Sequence, residues 1–124
     1  MADVREVMTE QLVTVEPSTS VAAAVTVMGI QRVGAVLVME DAGLEGIFTE
    51  RDLVRALSYD IAAATQPVGQ WMTRNPFTVG PEATVEQALQ IMLAGHFRHL
   101  PVMDGETLVG IVSIRDLSRA TLRE

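Results

Sequence analysis

Two stretches of the same pattern decide the fold of this chain. Residues 46–52 read Gly-Ile-Phe-Thr-Glu-Arg-Asp, and residues 110–116 read Gly-Ile-Val-Ser-Ile-Arg-Asp. In each, apolar residues typical of a strand give way to a hydroxyl residue with an aspartate three positions later, which predicts a strand running directly into a helix. The stretches are 64 residues apart, and at that offset 18 of the 54 positions in 7–60 and 71–124 are identical. We therefore interpret the chain as a duplication.

Each copy shows the same order of predicted elements. In the first copy, residues 12–15 form a short strand, Ser20 caps a helix, and 33–39 and 44–48 form a hairpin around the turn 40–43. A last helix starts at Thr49, and the second copy repeats the order with Thr84 and Gln87 as a capping box, Gly95 as a helix end and an Asp104-Gly105 turn. We predict copies at 1–60 and 71–124 and a linker at 61–70. Since one copy alone would be marginally stable, we expect an α/β (α+β) fold of two β-α-β-β-α repeats packed with pseudo-two-fold symmetry.

Composition excludes several classes of function. The 124 residues are 48 % apolar and 20 % charged, as in globular proteins. The net charge of −7 argues against nucleic-acid binding, and the absence of cysteine excludes disulfides and thiolate metal sites. The longest apolar run, residues 33–39, is too short to cross a membrane, and the first residues lack the apolar core of a signal peptide. We expect a cytoplasmic protein with no metal and no membrane partner.

The repeated hydroxyl–aspartate pair has two interpretations. It can be a helix capping box, formed by Thr49 with Asp52 and by Ser113 with Asp116. It can equally be part of a nucleotide site, because a helix N-terminus and a hydroxyl bind phosphate while a carboxylate accepts from a ribose diol. Either interpretation alone accounts for the spacing.

Basic residues lie close to both motifs. Arg51 and Arg115 fall inside them, and Arg98 and His99 come just before Leu100-Pro101-Val102. Arginine offers planar, forked donors that suit phosphate, although a solvated helix face explains Arg51 and Arg115 as well. The counterparts of Arg98 and His99 in the first copy are Gly34 and Ala35, which carry no charge.

With these motifs in order and repeated, the chain resembles a tandem pair of CBS (cystathionine-β-synthase) domains, a Bateman module, over residues 7–122. The matching pieces include Trp-Met-Thr-Arg-Asn-Pro at 71–76, Phe-Arg-His-Leu-Pro-Val at 97–102 and the two stretches that open this section. The resemblance implies a regulatory sensor that binds AMP, ADP, ATP or S-adenosylmethionine in the cleft between the repeats, requires no cofactor and forms a homodimer. From the motifs and the resemblance together, we predict these ligand-binding positions: Thr14, Val15, Thr49, Arg51, Asp52, Thr78, Val79, Arg98, His99, Pro101, Ser113, Arg115 and Asp116.

Within that resemblance, Asp52 and Asp116 match the ribose-binding aspartate. The segments Thr14-Val15 and Thr78-Val79 match the stretch that contacts the base, and Arg98 and His99 match basic phosphate contacts. Since only the second copy carries that basic pair, we predict two intact sites of unequal affinity.

Two other classes of function stay open. An enzyme is disfavoured, because the chain contains none of the motifs H-E-x-x-H, G-x-S-x-G or the P-loop and we find no catalytic residue. The alternative to a nucleotide sensor is a ligand-free adaptor that dimerises and regulates a partner protein. The duplicated hydroxyl–aspartate pairs favour the sensor.

Overall fold

A computed structural model describes residues 2–41 and 43–123, which fall into two compact units. The repeat-1 unit is Val13–Pro76, and the repeat-2 unit combines Met1–Leu12 with Phe77–Glu124. In chain order the elements are α1 (Val4–Val7), β1 (Thr14–Val15), α2 (Val21–Gln31), β2 (Ala35–Glu40), β3 (Gly43–Thr49), α3 (Glu50–Tyr59), β4 (Thr73–Arg74), α4 (Val85–Gly95), β5 (His99–Asp104), β6 (Thr107–Ser113) and α5 (Ile114–Arg123).

The sheet of the repeat-1 unit has the order β1-β2-β3-β4. Strand β1 is parallel to β2, β2 and β3 form an antiparallel hairpin, and β4 adds an antiparallel edge to β3. The buried apolar core of this unit contains Phe48 from β3 and Val21, Ala24 and Met28 from α2. The apolar residues of α2 lie three or four positions apart, so they share the helix face that packs inward.

The repeat-2 unit has the same plan with shorter edges. Strands β5 and β6 form an antiparallel hairpin. Val79 bridges Val102 in parallel on one side, and Thr9 bridges Ile111 antiparallel on the other. At the 64-residue offset these single bridges correspond to β1 and β4 of the repeat-1 unit. The predicted strand, helix, strand, strand, helix order is confirmed in both copies, with the first strand of the second copy reduced to the bridge at Val79.

The first residues of each sequence copy extend the sheet of the other copy's unit. Thr73 and Arg74, near the start of the second copy, pair with β3, whereas Thr9, near the start of the first copy, bridges to β6. Glycine permits this approach, because a Cβ on Gly46 would lie 2.6 Å from the carbonyl oxygen of Thr73 and one on Gly110 would lie 2.9 Å from that of Thr9. The predicted boundaries at 1–60, 61–70 and 71–124 follow the sequence repeat and remain a prediction, as does the pseudo-two-fold packing.

The helix caps explain where the helices begin and end. Ser20 accepts from the amide of Ala23, and Thr84 and Gln87 form the predicted capping box. Helices α2 and α4 end at left-handed residues, Arg32 and His96, with φ of 58° and 59°. Helix α4 ends at Gly95, as predicted, and His96 takes the left-handed position after it. The next amide, of Val33 or Phe97, reaches back to a methionine carbonyl, as in a Schellman motif.

The predicted linker and the predicted turn of the first hairpin differ in how they appear in the structure. The predicted linker 61–70 packs within the repeat-1 unit, where it forms 3-10 turns at Ile61–Thr65 and Val68–Gln70 with Ala63 and Val68 fully buried. The predicted turn 40–43 contains Ala42, which lies outside the described residues. Asp41 beside it has a left-handed φ of 54°, as does its counterpart Gly105 with 63°.

Candidate ligand-binding site

In the repeat-1 unit, the hydroxyl–aspartate pair lies where β3 ends and α3 begins. The amide of Asp52 donates to Thr49 Oγ1 at 3.2 Å, and the amide of Thr49 donates to Asp52 Oδ2 at 3.0 Å. This is the reciprocal capping box that the spacing predicts. Capping is thus realised here, and it presents the hydroxyl and the carboxylate side by side at the first turn of a ten-residue helix.

Asp52 also contacts residues outside its own motif. Thr73 on β4 donates its hydroxyl to Asp52 Oδ1 at 3.1 Å, and Arg55 Nη2 donates to the same oxygen at 3.3 Å. Asp52 is only 5 % exposed and is the one buried charged residue in the described part of the chain. A buried carboxylate requires such partners, because its unpaired charge would be costly to desolvate.

In the repeat-2 unit, Ser113 and Asp116 form the matching pair at the junction of β6 and α5. The amide of Ser113 donates to Asp116 Oδ2 at 2.9 Å, and the amide of Asp116 donates to Ser113 Oγ at 3.1 Å. Asp116 is partly exposed, in contrast to Asp52. Both capping interpretations made from the sequence are therefore confirmed, and the two motifs differ in their surroundings.

The basic pair Arg98-His99 lies beside the motif of the repeat-2 unit. His99 opposes Ser113 in the register of β5 and β6, and the carbonyl of Arg98 accepts from the amide of Ile114 at 2.8 Å. The pair is thus held at the N-terminus of α5. In the repeat-1 unit, Gly34 and Ala35 occupy the same places, at the N-terminus of α3. An arginine and a histidine therefore lie beside the motif of the repeat-2 unit, at positions where the repeat-1 unit has glycine and alanine.

The predicted base-contacting segments lie across the sheet from the aspartates. Thr14 and Val15 pair with Leu37 and Val38 on β2, and β2 lies between β1 and β3, the strand that ends at Thr49. Two strand spacings correspond to about 10 Å. In the repeat-2 unit the amide of Val79 donates to the carbonyl of Pro101 at 3.1 Å. Thr14 and Thr78 are exposed, whereas Val15, Val79 and Pro101 are buried.

The remaining predicted residues, Arg51 and Arg115, are exposed in the first turns of α3 and α5. The sequence argument missed Arg55 and Thr73 as partners of Asp52. The signal available was their identity at the repeat offset, where Arg119 and Thr9 are the counterparts. Within the described residues there is no group of three or more side chains suited to a metal ion, and no helix there is long and apolar enough to cross a membrane.

Comparison with known proteins defines the class. The family model of the CBS domain matches residues 4–59 and again residues 68–123. The chain belongs to the CBS-domain family and consists of two such domains in tandem.

Some of the relatives are of similar size. The CBS domain-containing protein YhcV of Bacillus subtilis is 33 % identical over 118 residues, which are 95 % of this chain and 84 % of YhcV. A CBS-domain containing protein of Agrobacterium tumefaciens superposes with a TM-score of 0.92 at 37 % identity, covering 97 % of this chain and 99 % of that one. CBSX2, solved in complex with AMP, superposes with a TM-score of 0.84 at 32 % identity, with 98 % and 96 % covered.

Proposed function

We propose that this CBS pair is a regulatory module that binds an adenosine ligand, namely AMP, ADP, ATP or S-adenosylmethionine. The observation that carries the proposal is the duplicated hydroxyl–aspartate pair, which both units present at the first turn of a ten-residue helix. The similarity to CBSX2, whose structure contains AMP, supports an adenosine ligand for this chain as well.

The repeat-2 unit supplies suitable groups for the sugar and the phosphate. The Asp116 carboxylate would accept hydrogen bonds from the ribose hydroxyls. In the first turn of α5, the amides of Ile114 and Asp116 already donate to Arg98 O and Ser113 Oγ, which leaves the amide of Arg115 as the donor without such a bond among the described contacts. Phosphate would lie at this helix end, where the helix dipole and the neighbouring Arg98 and His99 favour an anion.

The base would contact the edge strands on the other side of the hairpin. Thr14 and Thr78 are exposed, so each segment offers a polar side chain, whereas Val15 and Val79 are buried in the cores of their units. In the repeat-1 unit one strand lies between this segment and the strand that leads to the aspartate motif, so a nucleoside would have to extend across the hairpin. The roles of all these residues in ligand binding are part of the proposal.

We further propose that the module acts by self-association and by regulating a protein partner rather than by catalysis. Each of the four long helices exposes at least one large apolar side chain: Ile30, Val54, Tyr59, Leu93 and Leu122. Exposed apolar groups of this size favour burial in an interface. This observation supports a homodimer, and it is also what favours the ligand-free adaptor as the second candidate. Sedimentation should give twice the chain mass of 13.4 kDa, and a monomer would contradict the dimer.

A thermal-shift panel tests the proposed function. AMP, ADP, ATP and S-adenosylmethionine are compared with a single-stranded oligonucleotide as the anionic control. A ligand present at 100 times its Kd and bound only by the folded state adds about 2.7 kcal/mol of stability, which raises the melting temperature by several degrees. We expect at least one adenosine compound to do so and the oligonucleotide to have no effect. A flat response to all four compounds would favour the adaptor.

A further inference from the structure

The two motifs carry the same residue types but form different contacts. Asp52, Arg55 and Thr73 correspond at the 64-residue offset to Asp116, Arg119 and Thr9. In the repeat-1 unit the arginine and the threonine both donate to the aspartate. In the part of the chain that the structure describes, Asp116 forms side-chain hydrogen bonds with Ser113 alone.

The acceptor capacity of Asp52 is fully used. An ionised carboxylate offers about four acceptor positions on its two oxygens. Oδ2 accepts from the amide and the hydroxyl of Thr49 at 3.0 and 3.2 Å, and Oδ1 accepts from Thr73 and Arg55 at 3.1 and 3.3 Å. A ribose diol could therefore bind Asp52 only if it displaced Thr73 and Arg55 from Oδ1.

Asp116 retains the capacity that Asp52 has lost. Its Oδ2 accepts from the amide of Ser113 at 2.9 Å, and its Oδ1 accepts no hydrogen bond from the residues that the structure describes. Asp116 is also more exposed than Asp52. Two ribose hydroxyls could bind at Oδ1 without the loss of an existing hydrogen bond.

Trp71 is a further difference between the units. Its ring packs on Tyr59 with centroids 5.7 Å apart, and its indole Nε1 donates to Gln66 at 3.0 Å. Its carbonyl accepts from Arg55 Nη2 at 2.7 Å, so the segment that carries Thr73 is held against α3. The counterparts of Trp71, Tyr59 and Gln66 are Val7, Arg123 and Ala2, whose side chains cannot form the same ring contact and indole hydrogen bond.

We infer that Asp116 is the aspartate that binds the ribose of the adenosine ligand in this chain. The hydrogen bonds from Arg55 and Thr73 occupy Asp52, so that Asp52 binds the ligand weakly. This inference rests on the proposed function and adds which of the two aspartates binds the ligand and which hydrogen bonds weaken binding at the other. The basic pair Arg98-His99 lies beside Asp116 as well, so the sugar and phosphate contacts favour the same unit. Ligand binding at Asp52 is then conditional on displacement of the Thr73 hydroxyl and the Arg55 guanidinium from Oδ1.

Calorimetric titration with AMP tests the assignment. Asp116→Asn should weaken the tighter binding event about 10- to 100-fold, the range for loss of charge-assisted hydrogen bonds. Asp52→Asn keeps an acceptor for the cap and should change that event less than about 3-fold. Glu106→Gln, an exposed carboxylate in the β5–β6 turn, is the control for loss of one negative charge and should bind like the parent.

A variant of Thr73 tests whether its hydrogen bond to Asp52 weakens ligand binding there or has only a structural role. Thr73→Val removes one donor to Asp52 with little change of shape, and in the Asp116→Asn background it should strengthen the remaining AMP binding several-fold. The assignment would be overturned if Asp52→Asn abolished the tighter AMP-binding event while Asp116→Asn left it unchanged. It would also be overturned if adding Thr73→Val to Asp116→Asn left the affinity for AMP unchanged. If the parent binds neither AMP, ADP, ATP nor S-adenosylmethionine, the proposed function itself fails and the assignment with it.

Discussion

The stability of the pairing between β3 and β4 should be highly sensitive to a single added methyl group. Gly46 lies opposite this segment, and a Cβ there would be 2.6 Å from the carbonyl oxygen of Thr73 and 2.8 Å from the sulfur of Met72. Met72 could rotate, but the carbonyl belongs to the backbone of β4, which pairs with β3 at Gly46 itself. Gly46→Ala therefore has to shift the backbone of the edge strand.

The expected cost of Gly46→Ala is about 1 to 3 kcal/mol of unfolding free energy, the range for overpacking a well-packed interior. Its upper part is expected, because a shift of β4 also weakens the hydrogen bond from Thr73 to the buried Asp52. Gly110→Ala meets Met8 Sδ at 2.7 Å and the carbonyl oxygen of Thr9 at 2.9 Å, so it should destabilise as well, somewhat less.

Urea denaturation followed by circular dichroism measures both effects. The matched control is Gly29→Ala, because Gly29 lies in α2 and a Cβ there meets nothing within 4 Å. That control should gain about 0.5 to 1 kcal/mol from the better helix propensity of alanine. The reasoning would be refuted if Gly46→Ala were as stable as the parent while Gly29→Ala behaved as expected.

Three further predictions concern the caps and can be checked by the same denaturation assay. Asp52→Ala should cost about 2 kcal/mol of unfolding free energy and Asp116→Ala about 1 kcal/mol, because Asp52 loses its hydrogen bonds with Arg55 and Thr73 in addition to its cap. Equal losses in the two variants would contradict the difference between the units. Arg32→Gly should add about 0.5 to 1 kcal/mol, because the left-handed φ of 58° strains a residue with a Cβ, and a loss would argue against this cap geometry. Ser20→Ala should cost about 1 kcal/mol by removing the acceptor for the amide of Ala23, and an unchanged stability would show that the cap is not formed.

Much of the fold could be predicted from local sequence. The hairpins, the helices and the caps at Ser20 and Thr84 depend on residues a few positions apart, and their patterns occur twice. The capping box of Thr49 with Asp52 is equally local. In these places residue type and spacing determine the hydrogen bonds directly.

Contacts between distant parts of the chain could not be predicted in the same way. Thr73 is 21 residues from Asp52, and no local pattern indicates their hydrogen bond. The bridge of Thr9 with Ile111 likewise depends on how the chain returns past the second repeat. Helix α4 ends at Gly95 as predicted, but the left-handed residue after it is His96, as Arg32 is after α2, where glycine is the usual residue.

In the candidate site, too, the local motifs could be predicted and the contacts with distant residues could not. Every predicted hydroxyl and aspartate lies in its expected motif, and the basic pair lies beside one of them. What distinguishes the two motifs is that Thr73 and Arg55 donate to Asp52, whereas Asp116 has a side-chain hydrogen bond only with Ser113 among the described residues. Identical residues at the repeat offset therefore do not guarantee identical sites.

The central claim is that the duplicated hydroxyl–aspartate pairs bind an adenosine ligand. Equilibrium dialysis with radiolabelled AMP, comparing the parent with the double variant Asp52→Asn/Asp116→Asn, tests it most directly. The account predicts saturable binding by the parent and a reduction of at least about tenfold in affinity for a double variant that remains folded. Binding of AMP by the folded double variant with the parent's affinity would contradict the claim and leave both motifs as helix caps.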